Sequence, residues 1–65
     1  DLSSLSLKTI KKKAMDRVEK EVIAYVLEKT GWNRSKATKI LKISYKTLLY
    51  KIKDLGIEPP QDSEE

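Results

Sequence analysis

The apolar residues Leu7, Ile10, Ala14, Val18, Val22, Tyr25 and Val26 follow one another at steps of three, four and one. That spacing keeps side chains on one face of an α-helix. A stripe of this length predicts a helix of roughly six turns over residues 7–30. Ser6, or Ser4 a little earlier, offers the N-cap oxygen, and Gly31 suits the left-handed residue that ends a helix. Ile23 and Leu27 add a second apolar stripe beside Val22 and Val26. The combined arc is wider than one small neighbour needs, so part of it is expected to meet a second copy of the chain, through Ile10, Ala14, Val18, Val22 and Ile23.

Two shorter helices follow. Over residues 34–41, Asn33 is a favourable N-cap and Ala37, Ile40 and Leu41 form the apolar face. Over residues 45–55, Ser44 caps, and Leu48, Ile52 and Leu55 repeat at steps of four and three. Gly56 followed by Ile57 has the Schellman arrangement, and Pro59 and Pro60 forbid continuation. No segment alternates as a strand would, and there is no internal repeat. The expected fold is all-α, a small three-helix domain over residues 7–57 in which one long N-terminal helix precedes a helix-turn-helix. Residues 1–6 read as a linker remnant, residues 58–65 as an acidic disordered tail, and a start at Asp1 rather than Met as a domain of a longer protein.

Composition narrows the chemistry. A chain of 65 residues buries only about 60% of the surface that its unfolded form exposes, so self-association would help it. With no cysteine and no histidine, disulfides, thiolate metal sites and the commonest acid–base catalysts are excluded. Carboxylates at Asp16, Glu19, Glu21 and Glu28 sit at ion-pairing distance from lysines and Arg17 along one helix, which suits surface pairs better than catalysis. No catalytic residue, metal, cofactor or small-molecule ligand is expected, and no apolar run is long enough for a membrane span. The chain reads as cytoplasmic.

Charge then points to a partner. Arg34, Lys36, Lys39, Lys42, Lys46, Lys51 and Lys53 occupy a stretch without a single acidic residue, whereas residues 54–65 carry five acidic residues and no basic one. Such a block meets phosphate favourably, because each phosphate neutralised releases condensed counterions. Double-stranded DNA is the leading partner. Two amphipathic helices separated by a tight turn form a helix-turn-helix, whose second helix enters the major groove. With Leu48, Ile52 and Leu55 turned to the core, a helical projection puts Lys46, Tyr50 and Lys53 on the far side and Leu49 on its flank. Lys51 is counted with Lys46 among the DNA-facing lysines, and the free amides near Asn33 to Lys36 and Ser44 to Thr47 are natural phosphate ligands.

The stretch TGWNRSKATKILKISYKTLLYKIKDLGI, residues 30–57, resembles the Fis-type helix-turn-helix at the C-terminus of NtrC-family bacterial enhancer-binding activators. The Asn-Arg-Ser-x-Ala start, the Ile-Ser turn, the Thr-Leu pair and the final Gly-Ile recur in register. The resemblance implies a homodimer that binds inverted-repeat enhancer sites as the DNA-binding part of a transcriptional regulator, often one with a separate AAA+ ATPase and a phosphorylated receiver. It also implies that Asn33, Ser35, Lys36, Thr47 and Tyr50 contact phosphates and that Ser44, Tyr45, Lys46 and Leu49 lie against base edges; by helical position, Arg34 joins the amide-rich start of its helix and Lys53 adds field among the DNA-binding residues. Four departures stand out, one of them Thr38 in place of the family's second alanine. Tyr45 occupies a place usually held by arginine, while Trp32 and Lys42 each replace a glycine. The alternative readings are a helical dimerisation module whose basic block is only a solvated face, and a basic amphipathic helix for acidic membranes.

Overall fold

The computed structural model describes residues 2–59. A short 3-10 turn, Leu2–Leu5, precedes three α-helices: α1 (Leu7–Lys29), α2 (Arg34–Leu41) and α3 (Tyr45–Leu55). The linker expected at the start is thus partly a helical turn, and residues 60–65 of the expected tail lie outside the described residues. No strand occurs among the described residues, and the fold is all-α.

Each helix begins on a side-chain cap. Ser6 Oγ accepts from the Thr9 amide at 3.4 Å, Asn33 Oδ1 from the Lys36 amide at 3.0 Å, and Ser44 Oγ from the Thr47 amide at 3.1 Å. These bonds satisfy amides that have no partner inside the helix. Each helix ends in the same way too. The paired bonds Trp32 N to Leu27 O (2.6 Å) and Gly31 N to Glu28 O (3.1 Å) close α1, and Ile57 N to Ile52 O (2.9 Å) with Gly56 N to Lys53 O (3.3 Å) closes α3. Between them, Ile43 N bonds Thr38 O at 3.1 Å and turns the chain out of α2. All three are Schellman-type ends, which require a left-handed residue after the last helical one.

That requirement costs most where glycine is absent. Gly31 and Gly56 take φ of 64° and 67°, but Lys42 takes 58° and Trp32 takes 62°. A Cβ in this region crowds the neighbouring carbonyl by roughly 1 kcal/mol. Lys42 is exposed, so Lys42→Gly is expected to stabilise the domain by up to about 1 kcal/mol, or roughly 4–8 °C in melting midpoint for so small a domain. Thermal melting followed by circular dichroism checks this, and an unchanged or lower midpoint counts against it. Trp32 differs, because its half-buried ring packs on the core and compensates for the strain.

The core joins Ile23 and Leu27 of α1, Ala37 of α2, Leu48 of α3 and Ile57 beyond it, with Ala24, Val26, Trp32, Leu41, Ile43, Ile52 and Leu55 packed around them. The two stripes of α1 therefore have unequal roles. Ile23 and Leu27, the shorter stripe, face α2 and α3, whereas Val18 (51% exposed), Val22 (47%) and Tyr25 (62%) of the longer stripe face outward. Ile40, expected on the inner face of α2, is also exposed.

Candidate nucleic-acid interface

The turn of residues 42–44 sets α3 beside α2 and carries the starts of both helices to one side of the molecule. Trp32, Asn33, Arg34 and Ser35 line a shallow cleft together with Tyr45 and Pro59. Asn33, Arg34, Ser35 and Lys36 are all exposed; the Lys36 amide is taken by the Asn33 cap and the Asn33 amide by Thr30 O, which leaves the Arg34 and Ser35 amides at the helix start without a partner inside the helix. Such an end attracts anions through its unpaired N–H groups and the positive end of the helix dipole.

On α3, Leu48 is fully buried, which turns the opposite face to solvent. Lys46, Leu49, Tyr50 and Lys53 are exposed there, and Ser44 and Tyr45 are exposed at the helix start. Thr47 is half-buried, and its hydroxyl lies 2.8 Å from Ser44 Oγ. Its first duty is thus to the cap. Among the described residues Asp54 is the acidic side chain that follows this face, and it comes only in the last turn of the helix. The exposed face from Ser44 to Lys53 carries cations, hydroxyls and one leucine, the mixture that phosphate contact and base reading need.

Two residues named from sequence do not join the surfaces expected of them. Lys51 turns away from this face, and its Nζ lies 2.7 Å from Glu19 Oε1 on α1. The Glu19 hydrogen bond holds the Lys51 ammonium above its usual pKa. Helical angle is the reason: Lys51 is 60° from Leu48 in projection, on the core side of α3. Ile23, named for dimer contact, is 4% exposed within one copy and packs into the core shared with α2 and α3. By contrast Ile10, Ala14, Val18 and Val22 are exposed along α1. Val18 and Val22 line an apolar groove with Ile23, Leu41, Ile43, Glu19 and Lys51.

Glu19 is the residue that sequence reasoning missed, having been assigned to pairing along α1. Only one such pair forms as anticipated, Lys12 Nζ to Asp16 Oδ2 at 3.0 Å, four residues apart and exposed to solvent. It raises the Lys12 pKa through that hydrogen bond. Elsewhere the described residues hold no cluster of His, Cys, Asp and Glu able to bind a metal ion, and no helix among them is long and apolar enough to cross a membrane.

A basic, acid-poor second helix, capped and set across a tight turn from another capped helix, defines a helix-turn-helix of the DNA-binding class. Residues 14–59 match the family model described as bacterial regulatory protein, Fis family, and the chain belongs to that family. It is 42% identical over 48 residues to the regulatory protein AtoC of Escherichia coli K12. Over 44 residues it is 34% identical to the response regulator protein PilR of Pseudomonas aeruginosa PAO1. These stretches take in 74% and 68% of this chain but 10% of each relative, so the chain spans about a tenth of the length of either regulator. No solved structure matches it.

Proposed function

We propose that two copies of this domain bind an inverted-repeat DNA site, set their α3 helices into successive major grooves, and serve as the DNA-binding part of an NtrC-type transcriptional activator in the cytoplasm. The observation that carries the reading is the exposed face of α3 beside the capped start of α2. Asn33, Ser35 and Lys36 meet phosphates there with Thr47 and Tyr50, Arg34 and Lys53 contribute field, and Ser44, Tyr45, Lys46 and Leu49 read bases. Two copies pair through the outward stripe Ile10, Ala14, Val18 and Val22, which otherwise leaves valines in water. The similarity to AtoC and PilR supports a regulator with further modules, of which this chain is one part.

Selection of bound duplexes from a random pool tests the reading. The expected outcome is a palindromic site whose half-sites lie about one helical turn apart, roughly 34 Å. Lys46→Ala should weaken binding to that site by about 1–3 kcal/mol and relax the base preference next to it. Equal affinity for selected and shuffled duplexes at every salt concentration would overturn the proposal.

A further inference from the structure

The ion pair between Lys51 and Glu19 joins residues 32 apart in sequence and ties α3 to α1. Among the described residues it is the ion pair that spans two helices, since Lys12 and Asp16 lie within one. Its side chains are 33% and 35% exposed, so it stands at the border of the core and not in open solvent. Apolar neighbours line the groove beside it: Val18, Val22 and Ile23 of α1, Leu41 at the end of α2 and Ile43 in the turn before α3. The next charges acting on Lys51 are the carboxylates of Asp16 and Asp54. A lysine so placed has its charge already answered, and a DNA phosphate would have to displace a carboxylate to reach it.

From this geometry, and resting on the DNA-binding reading above, we propose that Lys51 is a positioning residue: it sets the angle of α3 against α1 through Glu19 and does not touch DNA. The consequence is mechanical. If two copies pair along α1, the separation and tilt of the two α3 helices depend on how firmly each is held to its own α1. A tilt of about 10° moves the far end of an eleven-residue helix such as α3 by roughly 3 Å. That is as large as a hydrogen bond is long, so Lys46 and Leu49 would lose register with the base edges while the phosphate-facing cations, which act over longer distances, would still bind. Lys51 therefore governs which DNA is chosen more than how strongly DNA in general is held.

Binding of the selected palindrome and of a shuffled duplex, each measured over a series of salt concentrations, separates this role from a phosphate contact. In Lys51→Ala the ratio of palindrome to shuffled affinity should fall roughly fivefold, the upper range for a half-exposed pair, while the slope of log affinity against log salt stays at the wild-type value. The exchange Glu19→Lys with Lys51→Glu leaves net charge unchanged and should restore most of the ratio. If Lys51 contacts phosphate, the slope in Lys51→Ala falls by about 1 per copy and the exchange stays weak, and either result overturns the proposal. Circular dichroism fixes a temperature at which every variant is folded, and Lys51→Met, which keeps the apolar stem, replaces Lys51→Ala if the latter does not fold. Wild-type protein that fails to distinguish the duplexes overturns the DNA reading and this inference together, whereas a changed slope with wild-type selectivity intact overturns this inference alone.

Discussion

Raising the salt concentration from about 50 to about 200 mM is expected to weaken duplex binding by roughly three orders of magnitude, the loss associated with about six phosphate contacts. The exposed cations Arg34, Lys36, Lys39, Lys42, Lys46 and Lys53 give a bound pair of copies a pool from which about six phosphate contacts can be drawn. Lys51 is left out of the count because Glu19 neutralises it. The measurement is fluorescence anisotropy with a labelled duplex at several salt concentrations. A slope near zero would show that the basic block is merely a solvated face.

The second large effect concerns the core. Leu48 and Leu27 are fully buried and touch all three helices' packing through one shared cluster. Leu48→Ala removes several methyl and methylene groups from a site that cannot collapse far, at a cost of about 3–5 kcal/mol. A single domain of this size has only about 5 kcal/mol in total to lose, so the variant is expected to be largely unfolded at 37 °C and to bind no duplex specifically. Loss of helical ellipticity at 222 nm, measured beside wild type, checks it. Retention of a cooperative melt within a few degrees of wild type would mean that the cluster is less central than its burial implies. Leu49→Ala on the adjacent, exposed position is the natural control, since it should leave the melt intact.

Much of the architecture was legible because polar caps and glycines announce helix ends through local chemistry. Asn33 and Ser44 carry the caps expected of them, and Gly56 with Ile57 forms the expected Schellman end. Such features depend on four to six neighbouring residues and need no knowledge of the rest of the fold. The face of α1 was harder. Both of its stripes have the three-and-four spacing of an amphipathic helix, and only the partner helices decide which is covered. Ile23 was therefore assigned outward with Val18 and Val22, although it packs inward.

Lys51 and Trp32 show two further limits. Counting charge placed Lys51 with the DNA-facing lysines, whereas its angle beside Leu48 already put it toward the core. For Trp32 the sequence shows the replacement of a family glycine, but its left-handed backbone depends on the paired bonds from Trp32 N to Leu27 O and Gly31 N to Glu28 O. The roles assigned to individual residues at the DNA are of another kind, since they rest on exposure, helix position and resemblance, and binding experiments decide them.

The connections between helices are short: four residues, 30–33, lead from α1 to α2, and three, 42–44, from α2 to α3. Each joint has a side-chain cap on one side, and on the other a Schellman pair after α1 or the Ile43–Thr38 bond after α2. A reader built in this way arrives at DNA already in its binding shape, so association orders side chains and releases ions but does not fold a segment. The heat capacity change of binding should then match the rigid-body surface buried between protein and duplex, with no additional contribution from coupled folding. Under the proposed reading, selectivity in such a domain is decided before contact, in the angles at which its helices are set.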